Sequence, residues 1–255
     1  MRIVRNTEYI NRRKRIAKWS AIFGVALLGS TFWLALNPSL VLIAYVPLLT
    51  GTLIFHFGMQ QVAKWNRSPR NDVLLDQRLQ GLSDKYALIH YSMLGKRAVD
   101  HMLVHPGGVL VLTVRELAGH VGHRNGRWRK RGGGVARLFG LGGPQLGNPT
   151  FETEQSVGAI QRFLADQDAA AEVDGAIVFV HPLVDLSIEE PDFPVTNAEG
   201  LPQFLRSLED GPGLAVADRQ ALVALLGTGV ELEAPQRPPR RRPVKTRRPV
   251  KKRAA

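Results

Sequence analysis

The strongest constraint on this chain is a run of 45 residues, Trp19 to Ala63, that contains no Asp, Glu, Lys or Arg. A helix needs roughly 20 residues to cross the hydrocarbon core of a bilayer, so the run is too long for one crossing and suits two. Asn37-Pro38-Ser39 supplies a turn between them, because all three residues favour turn geometry and proline removes a helical donor. The expectation is a transmembrane helical hairpin over residues 19–62, with spans near 17–36 and 40–60. Two other readings compete. A cleaved signal peptide would need a small-residue cleavage site, which does not follow the first span, and a buried hairpin in a soluble protein rarely stays charge-free for so long. Both flanks are basic, with Arg12, Arg13, Lys14, Arg15 and Lys18 before the run and Lys64, Arg67 and Arg70 after it. Positive flanks stay cytoplasmic, which predicts a multi-pass protein of the cell membrane with both termini in the cytosol. Trp19 and Trp65 are expected at the two borders, where an amphipathic indole is favoured, and His56 reads as an interfacial histidine rather than an ion path.

The formal net charge of +12 points to a phosphate-bearing partner, but its distribution weakens that inference for the folded body. Residues 1–18 carry +6, the Pro-rich tail 235–255 carries +10, and everything between them carries −4. The tail is too polar and too charged to bury a core and is expected to be disordered. Beside an anionic leaflet it would bind lipid headgroups; elsewhere it would bind DNA or RNA without sequence preference, or simply keep the chain soluble. With no cysteine there is no disulfide framework and no thiolate chemistry.

The remaining segments predict a single α/β domain over 71–229, after a basic N-terminus (1–18), the hairpin (19–62) and a linker (63–70), and before a tail (230–255). Helical spacing runs from Asn71 to Leu82, and strands follow at 86–91, 98–105 and 109–115, the last pair joined by Pro106-Gly107-Gly108. A hairpin spans His120 to Arg131 with Asn125-Gly126 as its turn, and the glycines of 132–147 read as a flexible insertion. A helix at 151–167, a buried strand at 175–181 and helices at 201–208 and 218–226 complete the series.

This order of pieces resembles the nuclease-related domain family, NERD. The resemblance covers roughly 70–210: an acidic residue early in a helix (Asp72), Asp100-His101 before an apolar strand, Pro-Gly-Gly, Gly119, Arg127-Trp128, Asn148-Pro149, a helix bearing Gln155 and Gln161, and a late Val-Phe-Val strand. It implies a restriction-endonuclease-like mixed sheet flanked by helices, with a PD-(D/E)xK site in which two carboxylates hold Mg²⁺ and a lysine activates water. Carried over residue by residue, Asp72 stands for the helical acid and Asp100 for the first site acid and weak metal ligand. Thr113 and Arg115 stand where the family commonly has Glu-x-Lys. A hydroxyl is a poor ligand for Mg²⁺, and a guanidinium is not interchangeable with an ammonium, so the site reads as degenerate. Glu116 points to the opposite face of an alternating strand unless a bulge returns it.

Other constellations are weaker. His101, His105, His120 and His123 cluster in sequence, but His120 and His123 fall on opposite faces of a strand and lack a third ligand. Arg124, Arg127, Arg129, Lys130 and Arg131 around Trp128 form a basic hairpin suited to gripping phosphates and stacking a base, or to being a solvated tip. Gly140, Gly142 and Gly143 do not sit between a strand and a helix as a nucleotide fingerprint would. The expectation is a membrane-anchored NERD-like protein that binds nucleic acid or a partner protein without efficient cleavage, with no certain cofactor and Mg²⁺ only where residual nuclease activity remains. The alternatives are an active Mg²⁺-dependent nuclease with a migrated carboxylate, and a membrane-tethered scaffold with no nucleic-acid role.

Overall fold

The computed structural model describes residues 1–131, 145–208 and 213–232. The expected glycine-rich insertion therefore lies largely outside the described residues, and the basic tail entirely so. Ten strands and six helices are described. A seven-stranded mixed sheet runs in the order β10-β1-β2-β3-β4-β7-β9, and a three-stranded sheet runs β6-β5-β8. The α/β expectation holds, and most anticipated elements fall within a few residues of their expected places: α3 (Asn71–Leu79), β2 (Ala87–Leu94), β3 (Arg97–His105), β4 (Gly108–Arg115), β5 (Gly119–Arg124), β6 (Arg127–Lys130), α4 (Pro149–Asp166), β7 (Val173–Phe179), α5 (Leu201–Ser207) and α6 (Val216–Leu226). Four short strands escaped the sequence reading: β1 (Arg2–Arg5), β8 (Val184–Ile188), β9 (Val195–Asn197) and β10 (Val230–Leu232).

The first of these changes the domain organisation. β1 lies inside the large sheet, parallel to β2 on one side and antiparallel to β10 on the other. Ile3 and Val4 are buried, on opposite faces, in the two main apolar clusters. The first residues are thus part of the folded domain rather than a free basic segment, and the two long helices are an insertion between β1 and α3. Both ends of that insertion return to the same sheet.

α1 (Thr7–Ala35) and α2 (Val41–Trp65) form the helical hairpin, joined through a short 3₁₀ turn at Pro38–Leu40. Asn37 makes the turn by accepting a hydrogen bond from the Ser39 amide at 3.2 Å. The buried residues are Ile10, Ala17 and Gly24 on α1 and Ala44, Gly51, Gly58 and Trp65 on α2, spaced by sevens. A seven-residue seam produces a left-handed crossing, and its small residues let the backbones meet. A methyl group on Gly24 would lie 2.5 Å from the Phe55 nitrogen, and one on Gly58 2.5 Å from the Ala21 nitrogen. Away from the seam the helices expose large apolar side chains, including Trp19, Phe23, Phe32, Trp33, Leu42, Leu49 and Leu53. Only 11% of the apolar window of each helix is buried, which separates this pair from the core helices of a soluble fold.

The two faces of the large sheet are closed differently. α3 and α5 cover one face over Leu88, Leu103, Leu110 and Leu112, whereas α4 and α6 cover the other over Ile89, Met102, Val104 and Val111. Each fully buried aliphatic side chain contributes about 1.5–3 kcal/mol relative to exposure, so these layers dominate the domain's stability. The α4 contact is especially close at Gly175 of β7, where a Cβ would fall 2.2 Å from the Thr153 methyl.

Candidate functional site

Strands β1, β2, β4, β7 and β9 all run in one direction, so their C-terminal ends form one edge of the sheet. In open α/β sheets that edge is the usual place for a ligand. The hairpin also emerges there, because α1 starts at Thr7, directly after β1. Trp65 closes α2 against Tyr91 of β2 at 5.3 Å, and Tyr9 of α1 packs on both rings at 5.8 and 6.0 Å. Trp65 is buried in this aromatic cluster, not exposed at a membrane border as its position in the sequence suggested. Its indole N–H donates to Gln61 at 3.1 Å.

Beneath the cluster is a buried polar network. Asp72, on the first turn of α3, accepts from Arg70 Nε and Nη2 at 3.0 and 2.8 Å and pairs with Arg5 Nε at 3.0 Å. Burial would raise the carboxyl's pKa, but the Arg70 fork and the Arg5 charge outweigh it and hold the group below its ordinary value. Arg5 also bonds Asp76, one turn further along α3. The chain continues from Asp76 to His90 Nε2 at 3.0 Å, and from His90 Nδ1 to His101 Nδ1 at 2.8 Å. Only one proton fits between two facing ring nitrogens, so with His90 donating to Asp76 its Nδ1 accepts from His101. Burial, with His90 beside it, pushes the His101 pKa down to about 3, which keeps that ring neutral. Tyr91 adopts φ 58°, rare for a bulky residue, and this marks a break in the β2–β3 ladder opposite Asp100. Burial and the charges of Asp72 and Asp100 keep its phenol protonated.

The other expected site residues flank this network. Asp100 is on β3 at the same edge and is 46% exposed, with Lys64 of α2 3.2 Å away. Thr113 and Arg115 occupy the last turns of the β4 pleat on one face, as alternation requires. Thr113 is buried against α4, where its hydroxyl meets that of Thr153 at 2.6 Å. Arg115 donates Nε to the Leu146 carbonyl at 2.9 Å and pairs with Glu152 in the first turn of α4. Glu116, just past the strand, pairs with Arg67 of the linker. The sequence did not single out Arg5, Asp76, His90, Tyr91 or Glu152. An Asp four residues after Asp72, on the same helical face, was the available signal for Asp76. The others required β1 and the register of β2.

Five carboxylates (Asp72, Asp76, Asp100, Glu116, Glu152) and five cations (Arg5, Lys64, Arg67, Arg70, Arg115) thus meet at one edge and pair internally. This donor set does not fit Mg²⁺, which requires several free oxygen ligands in near-octahedral array. Among the described residues no group of three or more His, Asp or Glu is placed to hold a metal ion.

The basic hairpin has a different character. Trp128 turns inward: its ring is 4.8 Å from His123 and 5.8 Å from Phe179, and its indole N–H donates to the Thr150 hydroxyl at 2.9 Å. Arg124 pairs with Glu189 and His120 with Asp185, while His123 is buried on the opposite face, bonded to the Glu189 carbonyl. Arg127 and Arg129 of β6, the outer strand of the small sheet, and Arg131 just after it are exposed and make no ion pair among the described residues. Alternate residues of a strand lie roughly 6.8 Å apart, so the three form an evenly spaced cationic row.

A mixed α/β domain with an ion-paired edge at the C-terminal ends of its strands, joined at that edge to two long apolar helices, is the class of protein that emerges. Residues 66–184 match the family model of the nuclease-related domain. The match spans α3 through the start of β8, so the sheet's β1, β9 and β10 lie outside it. Searches of curated proteins and of solved structures found no match.

Proposed function

We propose that this protein is a membrane-anchored nuclease-related domain with a degenerate site, which holds the phosphate backbone of a nucleic acid without cleaving it efficiently. The observation that carries this reading is the contrast between the two basic regions. At the strand-end edge every family position is committed to an internal partner: Asp72 to Arg5 and Arg70, Asp100 to Lys64, Thr113 to Thr153, and Arg115 to Leu146 and Glu152. Among the described residues Arg127, Arg129 and Arg131 have no such partner, and they offer phosphates a ladder of guanidiniums. With Trp128 turned inward, the row binds backbone rather than bases.

The membrane reading is supported by the exposed apolar surface of α1 and α2 and by the cations Arg12, Arg13, Lys14, Arg15 and Lys18, which lie between Trp19 and the domain. Since β1 and α3 belong to one domain, the helices leave it and return to it, and the tip at Asn37-Pro38-Ser39 faces the far side. The basic collar orients the domain to the cytosol, and the tail adds lipid or nucleic-acid affinity. A chain without cysteine permits a direct test. Ser39→Cys should be labelled by an impermeant maleimide only from outside the cell, and Lys96→Cys only after lysis. The binding test uses the full chain in nanodiscs with labelled DNA. Arg127→Ala, Arg129→Ala and Arg131→Ala together should weaken binding and lower the salt slope by about three. Cleavage with Mg²⁺ or Mn²⁺ that disappears in Asp100→Ala would overturn the non-catalytic reading.

A further inference from the structure

The basic residues at the root of the hairpin divide into two groups. Lys64, Arg67 and Arg70, at the end of α2 and after it, pair with Asp100, Glu116 and Asp72. Arg13 of α1 is likewise engaged, donating Nε to the Tyr9 hydroxyl at 2.9 Å and lying 5.0 Å from the centre of that ring. Arg12, Arg15 and Lys18 of α1 are different: all three are exposed and make no ion pair among the described residues. Arg12, Arg15 and Trp19 are three and four residues apart, a spacing that stacks them on one face of a helix, with Lys18 at its edge. That face lies away from Ala17 and Gly24, the buried side of α1. One turn further on it continues into Ile22 and Phe23, which are exposed like Trp19. Glu8, the one acid of α1, sits a turn nearer the domain than Arg12.

We propose that this face of α1 binds an anionic phospholipid of the leaflet on the domain's side, with Arg12, Arg15 and Lys18 holding the headgroup and Trp19, Ile22 and Phe23 lying along the glycerol and acyl chains. The dimensions match. At 1.5 Å rise per residue, Lys18 and Arg15 lie roughly 2 and 6 Å outside Trp19 along the axis, within a headgroup layer about 5–8 Å thick, and Arg12, about 10 Å out, marks its outer limit. A guanidinium takes phosphate oxygens through two parallel N–H bonds, and the lysine stem lets its ammonium rise to the same level. The order of side chains along the face decides the occupant. A nucleic acid has nothing to lay on Ile22 and Phe23, whereas a lipid presents charge and then hydrocarbon in that sequence. The cations ride on the helix that enters the bilayer, so α1 itself fixes their depth. This proposal rests on the membrane reading of the hairpin and adds which lipid its inner border selects.

The test is tryptophan quenching in the full chain, held in phosphatidylcholine nanodiscs that contain an equal minor share of either brominated phosphatidylglycerol or brominated phosphatidylcholine. With Trp33→Phe the reporter in the bilayer is Trp19; with Trp19→Phe it is Trp33, at the far border, where the last turn of α1 carries no cation. Trp65 and Trp128 stay packed on the domain in both. Brominated phosphatidylglycerol should quench Trp19 with an apparent affinity on the order of fivefold above brominated phosphatidylcholine, as even one cation near an anionic surface predicts, and should show no advantage at Trp33. Arg12→Gln, Arg15→Gln and Lys18→Gln together should bring the two lipids level at Trp19. Arg15→Gln alone should move them part of the way and serves if the triple variant inserts poorly. Equal quenching of Trp19 by the two lipids, the same preference at Trp33, or a preference that survives the triple substitution overturns the proposal. Equal quenching together with weaker DNA binding in the triple variant assigns the face to nucleic acid instead. No quenching of either tryptophan by either lipid overturns the membrane reading and the proposal with it.

Discussion

Asp72→Asn tests whether the buried ion pairs at the root of the hairpin hold the domain together. The substitution keeps the side chain's shape and removes its charge. In the native protein the carboxylate accepts two N–H hydrogen bonds from Arg70 at 3.0 and 2.8 Å, pairs with Arg5 Nε at 3.0 Å, and has no exposure to solvent. Breaking a buried pair by removing one member costs about 3–5 kcal/mol, because the surviving charges stay buried without compensation. Against a domain stability of roughly 5–15 kcal/mol this is a large fraction. At roughly 2–4 °C per kcal/mol for a domain of this size, melting should fall by about 6–20 °C. The pH dependence gives a second, independent readout. Asp72's folded pKa lies below its unfolded value of about 3.9, so its stabilisation is complete above that value and is lost as pH falls through the folded pKa. Wild type should therefore lose stability steeply below about pH 4, and Asp72→Asn should lose less. Melting of the chain in nanodiscs, followed by circular dichroism from pH 7 to pH 3, measures both. A variant that melts within about 2 °C of wild type at pH 7, or that keeps the full acid-dependent decline, would refute the reasoning.

Three further outcomes follow from the geometry. Ile3→Asp places a charge in the core beneath β1 and should abolish folding of the whole domain, shown by loss of protease resistance in residues 71–208; a still-resistant domain would mean that β1 is dispensable. Gly58→Leu drives a side chain into the Ala21 backbone and should separate α1 from α2, read as loss of a crosslink between cysteines placed at Leu28 and Leu48. His101, already pushed down to about 3, should show no titration between pH 5 and 8 by NMR. Because the unfolded state takes up that proton near pH 6.5 and the folded state does not, His101→Gln should flatten the decline in stability as pH falls below 6.5.

Much of the fold was legible in local pattern. The apolar period gave α3, α4 and the strands β2 to β4, and Asn125-Gly126 marked the β5–β6 turn at the residues where φ is positive, 51° and 69°. The missed strands β1, β8, β9 and β10 are three to five residues long, too short to establish an alternation. β1 was further disguised: Arg2 and Arg5 bracket Ile3-Val4 in a segment whose charge resembled a membrane-flanking tail. The site was legible only in part. Asp72, Asp100, Thr113 and Arg115 were proposed through resemblance, and Glu116 falls just past β4, paired with Arg67. The partners that neutralise them were not visible, since Arg5 lies 67 residues before Asp72 and Lys64 lies 36 before Asp100.

Composition and order alone determined that this chain has two long apolar helices separated by an Asn-Pro-Ser turn and that an α/β domain follows. These are properties of local spacing and side-chain chemistry, which need no knowledge of what lies across the fold. Tertiary structure decided that β1 enters the sheet, that the hairpin is therefore an insertion rather than a leader, and that its root sits on the strand ends. It also decided that Lys64, Arg67 and Arg70, which follow the apolar run, pair with the domain's own carboxylates. Pairing of this kind depends on which strand ends lie side by side, and strand neighbours are set by long-range packing that no local pattern records.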